Sequence, residues 1–129
     1  MITDHMSSAD EYHGIIVREG IRDQAVLDKM TVLGPKNGKE WTLVKVGVKS
    51  DAISKIIRLI QTNLLSENSI PYYVHFYRDD ELIVVFPEKV FHLSTDEKSW
   101  REAVTYGESL GVPKDELDFR PCRVQQETF

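Results

Sequence analysis

Tyr72-Tyr73-Val74-His75-Phe76-Tyr77-Arg78-Asp79-Asp80-Glu81-Leu82-Ile83-Val84-Val85-Phe86 is the stretch on which the fold turns. It holds two runs of aromatic and β-branched residues separated by two aspartates, the composition of strand, turn, strand. With Asp79-Asp80 as a two-residue turn, Arg78 stands opposite Glu81, Tyr77 opposite Leu82 and Phe76 opposite Ile83. Directly opposed residues of antiparallel strands share a face. One face then carries Tyr72, Val74, Phe76, Ile83 and Val85; the other carries Tyr73, His75, Tyr77, Leu82, Val84 and Phe86. A slip of one residue in the turn would change these matches.

Working outward, Val44, Val46 and Val48 alternate with Leu43, Lys45 and Gly47, which is strand periodicity. Ile53, Ile56, Ile57, Ile60 and Leu64 follow at the spacing of one buried helical stripe, with Ser50 or Asp51 as its cap. Asn68-Ser69-Ile70-Pro71 closes that unit, and a brief extension, Val90–Leu93, succeeds the hairpin. Ser94 and Glu97 have the spacing of a capping box, with Asp96 adding favourable charge. The helix they open has Trp100, Ala103, Val104, Gly107 and Leu110 on one side, Gly111 as its C-terminal cap and Pro113 beyond. Leu117–Arg120 reads as a last short strand.

Upstream, Ile15, Ile16 and Val17 form an apolar run inside a strand from His13 to Arg18, and a helical pattern runs from Asp23 to Met30. Gly34–Lys39 reads as an exposed turn. From Trp41 the order is therefore strand, helix, strand, strand, helix, strand. That order matches the split βαβ, ferredoxin-like architecture, an α+β sandwich with two helices on one face of an antiparallel sheet. The expected organisation is one domain over 13–129, made of an N-terminal strand-helix unit (13–33) and a ferredoxin-like core (41–123). Residues 1–12 read as a disordered or tag-like tail, with His5-Met6 as a candidate cloning junction and no signal-peptide pattern.

Two helices on one face leave the other bare. The first set, compact and aliphatic, suits the helices together with Val44, Val46 and Val48. The second set then shares its outer face with Trp41, Leu43 and Lys45. A sheet ordinarily alternates apolar and polar residues when one side meets water, and a large apolar patch marks a covered or binding surface. Three occupants are open: the chain's own residues 13–33, a second copy, or a small apolar or aromatic ligand. Trp41, Tyr73, His75, Tyr77 and Phe86 are accordingly the candidate binding or interface residues.

The 129 residues, 41% hydrophobic and 29% charged, are enough for one core without disulfides. A single cysteine, Cys122, excludes an internal disulfide and fits a reducing cytoplasm. The formal charge of −5 opposes attraction to a phosphate backbone, and no apolar run approaches the roughly 20 residues of a membrane span.

Signatures of chemistry are missing. His13, His75, His92 and Cys122 are scattered without metal-site spacing, and nothing implies a cofactor. Cys122 has no nucleophile motif around it and reads as a structural thiol. Gly38-Lys39 superficially suggests a phosphate loop, but the spacing is short, Glu40 stands where Ser or Thr would hold magnesium, and a strand follows. An RNA-binding sheet would carry its stacking rings on central strands, whereas these tyrosines fall on an expected edge strand. The loop Gly47-Val48-Lys49-Ser50-Asp51 lacks the arginine an acyl-phosphate hydrolase needs. Asp79, Asp80 and Glu81 are ordinary turn and solubility residues. His75 is the most interesting titratable group, as a base or a ligand-orienting residue, although a packed histidine satisfied by a tyrosine hydroxyl is the plainer reading. The sequence thus points to a cytoplasmic, non-enzymatic module that self-associates or binds a protein partner through the outer sheet face. The alternative is a small enzyme or sensor with a pocket around His75.

Overall fold

The computed structural model describes residues 10–38 and 41–129. Strands β1 (Glu11–Val17), β2 (Thr31–Asn37), β3 (Thr42–Lys49), β6 (Val74–Arg78), β7 (Glu81–Phe86) and β8 (Lys89–Ser94) form one sheet. Between β3 and β6 lie helix α1 (Ile53–Gln61) and a two-stranded ribbon of β4 (Ser66–Glu67) and β5 (Ile70–Pro71). Helix α2 (Arg101–Ser109) follows β8, and the chain ends in irregular backbone with short 3₁₀ turns at Lys114–Glu116 and Val124–Gln126. The class is mixed α+β with an antiparallel six-stranded sheet and few helices. Among the described residues no helix is long and apolar enough to cross a membrane.

The hairpin has the register that the two-residue turn dictates: Arg78 pairs with Glu81, Tyr77 with Leu82, Phe76 with Ile83. Asp79 takes a left-handed φ of 52° to make it, which aspartate tolerates better than most residues. Asn68 and Ser69, with φ of 55° and 69°, turn the small ribbon in the same positive-φ manner.

The ferredoxin-like order is not the order of this sheet, which runs β2-β3-β1-β6-β7-β8. In a split βαβ fold β3 would lie beside β7; here β1 stands between β3 and β6 and pairs with both. Ile16 enters one core and Ile15 the other, and only an interior strand buries both faces. Gly14 makes the position possible, because a Cβ there would overlap the Phe76 ring. Residues 13–33 are therefore not a unit set in front of the sheet, and β1 begins at Glu11, inside the stretch read as tail.

Other expectations change locally. Gly34–Lys39 is not a turn as far as Asn37: it belongs to β2, an exposed edge strand with an irregularity between Val32 and Gly34. Pro35 is tolerated there because an edge strand has a side that donates to no neighbour. Lys39 and Glu40 of the rejected phosphate loop, like the His5-Met6 junction, lie outside the described residues. The helical pattern at 23–30 is a 3₁₀ turn, Gln24–Lys29, capped by Asp23 accepting from the Ala25 amide. Neither Ser50 nor Asp51 caps α1. The Ser94–Glu97 box is replaced by Asp96 accepting from Lys98 N, with Ser94 Oγ accepting from Asp96 N. At the end of α2, Gly111 (φ 99°) donates to Glu108 and Val112 donates to Gly107 at 3.1 Å, the paired bonds of a Schellman stop. Leu117–Arg120 forms no strand: Asp118 holds the Arg120 amide in a local turn at 3.1 Å, and Pro121 has no amide to offer.

Two cores result. On one side Ile53, Ile56, Ile57 and Ile60 of α1, with Val26, Leu27 and Met30, cover Val44, Val46, Phe76 and Val85. On the other, Trp100, Ala103 of α2, Leu117, Phe119 and Cys122 cover Tyr77, Leu82, Val84 and Phe86.

Candidate functional site

The outer face does not lie open. It is covered by α2 and the end of the chain, not by residues 13–33, whose 3₁₀ turn packs on the α1 side. The cover has two grades. Phe119 is fully buried, with its ring 5.3 Å from Trp100 and 5.6 Å from Tyr73, and Cys122 is buried beside it. Arg123–Gln126 are exposed, and the chain returns to the sheet at Glu127–Phe129.

Glu127 is where polar chemistry converges. His13 on β1, Lys45 on β3 and Tyr77 on β6 come from three adjacent strands, all on this face. Tyr77 donates its hydroxyl to Glu127 Oε2 at 2.6 Å, and His13 Nδ1 donates to the same oxygen at 2.6 Å. Lys45 Nζ donates to Oε1 at 3.1 Å. Burial acts to raise the Glu127 pKa, but the bonds from Tyr77, His13 and Lys45 outweigh it and hold the carboxyl below its ordinary range. Burial, then the Glu127 bond and charge, push the Tyr77 phenol far upward, so it serves as a fixed donor. Lys45 is 9% exposed, and a cation so placed needs an anion beside it. The Phe129 ring lies 5.4 Å from the Lys45 ammonium and 5.8 Å from that of Lys36.

His75, one pair along β6, is 5% exposed and stacks on Tyr77 at 5.8 Å. Its Nε2–H donates to the Pro121 carbonyl at 2.8 Å. Burial lowers its pKa to about 4, against opposing effects of that carbonyl and Asp118, so the ring is neutral at pH 7. Tyr73 donates to the Glu116 carbonyl at 2.5 Å and rests 5.4 Å from the Phe86 ring. Phe86 is fully buried against Phe91 and Tyr106. Trp41 is not with this group. It precedes β3 and acts on the hydroxyl of Tyr72, which packs on the α1 side.

The structure thus brings Tyr73, His75, Tyr77 and Phe86 into one layer and leaves Trp41 out. His13 and Glu127 did not stand out as functional in the sequence, because each is a lone polar residue in an unremarkable setting. Lys45 carried a weak signal: alternation puts it on the same face as the apolar Tyr77, Leu82, Val84 and Phe86, where a buried cation needs a counter-charge.

Among the described residues no other convergent chemistry appears. An open groove of about 720 Å³ runs between α2 and residues 114–120, with Trp100, Val104 and Leu117 among charges of both signs. Among the described residues no cluster of His, Cys, Asp and Glu could hold a metal, and burial raises the Cys122 thiol pKa. No buried side-chain nitrogen or oxygen among them lacks a hydrogen-bond partner. Comparison with protein-family models, with curated proteins and with solved structures finds no match to this chain.

Proposed function

We propose that this chain is a small, non-enzymatic cytoplasmic module that self-associates or binds a protein partner through the outer face of its sheet. The part of that face available to a partner is the part under Arg123–Phe129. What carries this reading is the uneven cover: Phe119 and Cys122 are sunk into the core, whereas the strap beyond them is exposed except at Glu127 and Phe129. Segments with few buried contacts open at low free energy while the rest of the fold stays intact. Opening the strap would uncover His13, Lys45, Tyr77, Leu43 and Ile15, a surface with an apolar floor and three polar anchors.

The other reading, a small enzyme or sensor centred on His75, is weaker. His75 is 5% exposed, its Nε2–H is committed to Pro121, and the Phe119 ring lies 6.3 Å away. A base or a ligand contact needs a free nitrogen facing an accessible space.

Light scattering on the full chain across a concentration series, combined with amide hydrogen exchange, tests the proposal. The expected result is a mass that rises with concentration and amides of 123–129 that exchange much faster than those of Lys45 and Tyr77. A monomer at every concentration, with strap amides as protected as the sheet, would overturn it.

A further inference from the structure

We infer that His13, Lys45 and Tyr77 form a carboxylate-specific seat whose occupant is exchangeable, the alternative occupant being Arg123–Phe129 of a second copy of this chain. The inference rests on the outer-face reading above and names its partner and chemistry.

The seat belongs to the sheet and not to the strap. Its three donors stand on β1, β3 and β6, whose backbones are locked together by ladder hydrogen bonds. Glu11, a carboxylate on the sheet itself, approaches the far nitrogen of His13 at 3.9 Å. An unfilled seat leaves the Lys45 ammonium without its anion on a largely apolar surface, which is costly. A neutral or cationic occupant leaves that cost in place; a carboxylate removes it through three charge-assisted hydrogen bonds.

A second determinant lies two residues on. Glu127 and Phe129 reach the same lysine: Glu127 Oε1 accepts from Lys45 Nζ at 3.1 Å, and the Phe129 ring lies 5.4 Å from that ammonium. The Phe129 ring settles beside Lys36 and Lys45. The seat therefore reads a carboxylate followed at the second position by an aromatic ring, and Glu127-Thr128-Phe129 of any copy carries that pattern. Exchange keeps the Glu127 and Phe129 contacts of the closed form and asks that the exposed Arg123–Gln126 change course, giving up the Gln126 bond from the Cys122 amide and the Arg123 bond to Thr95. Within one chain the tether supplies an effective concentration on the order of millimolar, so the cis form prevails in dilute solution and the exchanged dimer grows in as concentration rises.

Two full-length variants decide the matter. Glu127→Ala has an intact seat and a blank strap; Lys45→Met has an intact strap and a broken seat. Each alone lacks any matched pair, while their mixture contains one in trans. Light scattering at millimolar total concentration should show at least tenfold more dimer in the mixture than in either variant. No excess dimer in the mixture, with both variants folded by circular dichroism, would overturn the exchange. A labelled peptide with the sequence of residues 123–129, titrated into the Glu127→Ala chain, checks the chemistry: it should bind at least tenfold more tightly than the same peptide with Gln in place of Glu. Equal binding of both peptides would overturn the carboxylate seat and leave the outer-face reading standing. Binding of neither, with a monomeric mixture, would sink both. Should Glu127→Ala not fold, the peptide at millimolar concentration against the wild-type chain must shift the NMR signals of His13, Lys45 and Tyr77; unshifted signals count as refutation.

Discussion

The face of the sheet under α1 and the face under α2 are closed in different ways. Under α1, an isoleucine stripe drops onto valines of β3 and the rings and branched chains of β6 and β7, and the polar atoms stay at the rim. There Tyr12 donates to Glu81 at 2.9 Å, and Arg78 lies 4.3 Å over the Tyr12 ring. Under α2, the layer includes His75, Lys45 and Tyr77, and the helix covers only part of it. The remainder is closed by irregular chain. The difference teaches that polar groups in a sheet face call for a cover with unspent acceptors. A helix or a paired strand has its carbonyls engaged in its own hydrogen bonds. The stretch from Glu116 to Pro121 does not, and it gives two carbonyls to Tyr73 and His75. The last turn then supplies a carboxylate to the cation.

Four measurements would break or sharpen that contrast. Phe119→Ala should destabilise the chain most, by about 3–5 kcal/mol in denaturant unfolding, because it empties a fully buried site among three aromatic rings. Ile60→Ala on the α1 side should fall in the range of about 2–5 kcal/mol. If Phe119→Ala costs under about 1 kcal/mol, the irregular segment is not a true core element.

Next in size is a pH effect confined to the α2 face. His75 has a folded pKa of about 4 against about 6.5 in an unfolded chain, so the unfolded state takes up the proton first. Its contribution is complete above pH 6.5 and is lost progressively as the pH falls toward 4, by about 3 kcal/mol. Glu127, also depressed in the fold, adds to the loss only at lower pH, as its carboxylate protonates. The His75→Gln variant should flatten the decline between pH 6.5 and 4, as read from unfolding free energies across that range. An unchanged slope would remove His75 from the account.

Tyr77→Phe deletes one donor to a charged acceptor and keeps the ring. Its expected cost is about 1–3 kcal/mol, with hydrogen exchange quickened in 123–129 and unchanged in α1. Acceleration spread evenly over both faces would mean that the strap is not a separate unit. The smallest effect belongs to Val124→Ser on the strap, where the side chain is 60% exposed: a thermal melt should move within the equivalent of about 0.5 kcal/mol. A larger loss would show that residues 123–126 have a hold that their exposure does not reveal.

Much of the sheet was legible because its information is local. The Asp79-Asp80 turn sets the register, and period two then sorts residues 72–86 into faces. The stripe of α1 and the glycine stop of α2 are equally local, fixed by spacing and by one positive φ. The place of β1 was not legible. Glu11–Val17 pairs with Thr42–Lys49 and with Val74–Arg78, and an apolar run carries no label for its partner. With β1 at the periphery the order would be ferredoxin-like and residues 13–33 free to cover the outer face; with β1 between β3 and β6 neither holds. Of the candidate site residues, Tyr73, His75, Tyr77 and Phe86 share a layer because alternation holds within strands, and Trp41 departs because it precedes the strand. Glu127 was invisible for a plain reason: a single acid near the chain end has no period and no neighbour in sequence that explains it.

By itself, then, the sequence determined the alternation of side chains along each strand, the hairpin register and the presence of two apolar faces. Those follow from steric periods of two and 3.6 residues, which operate over a few positions. Only the tertiary structure decided that β1 lies at the centre, that α2 and the chain's end close the second face, and that His13, Lys45 and Tyr77 meet on Glu127. These are pairings between distant segments. They are selected by which arrangement leaves no buried polar group unpaired and no apolar face exposed, a condition on the whole chain at once.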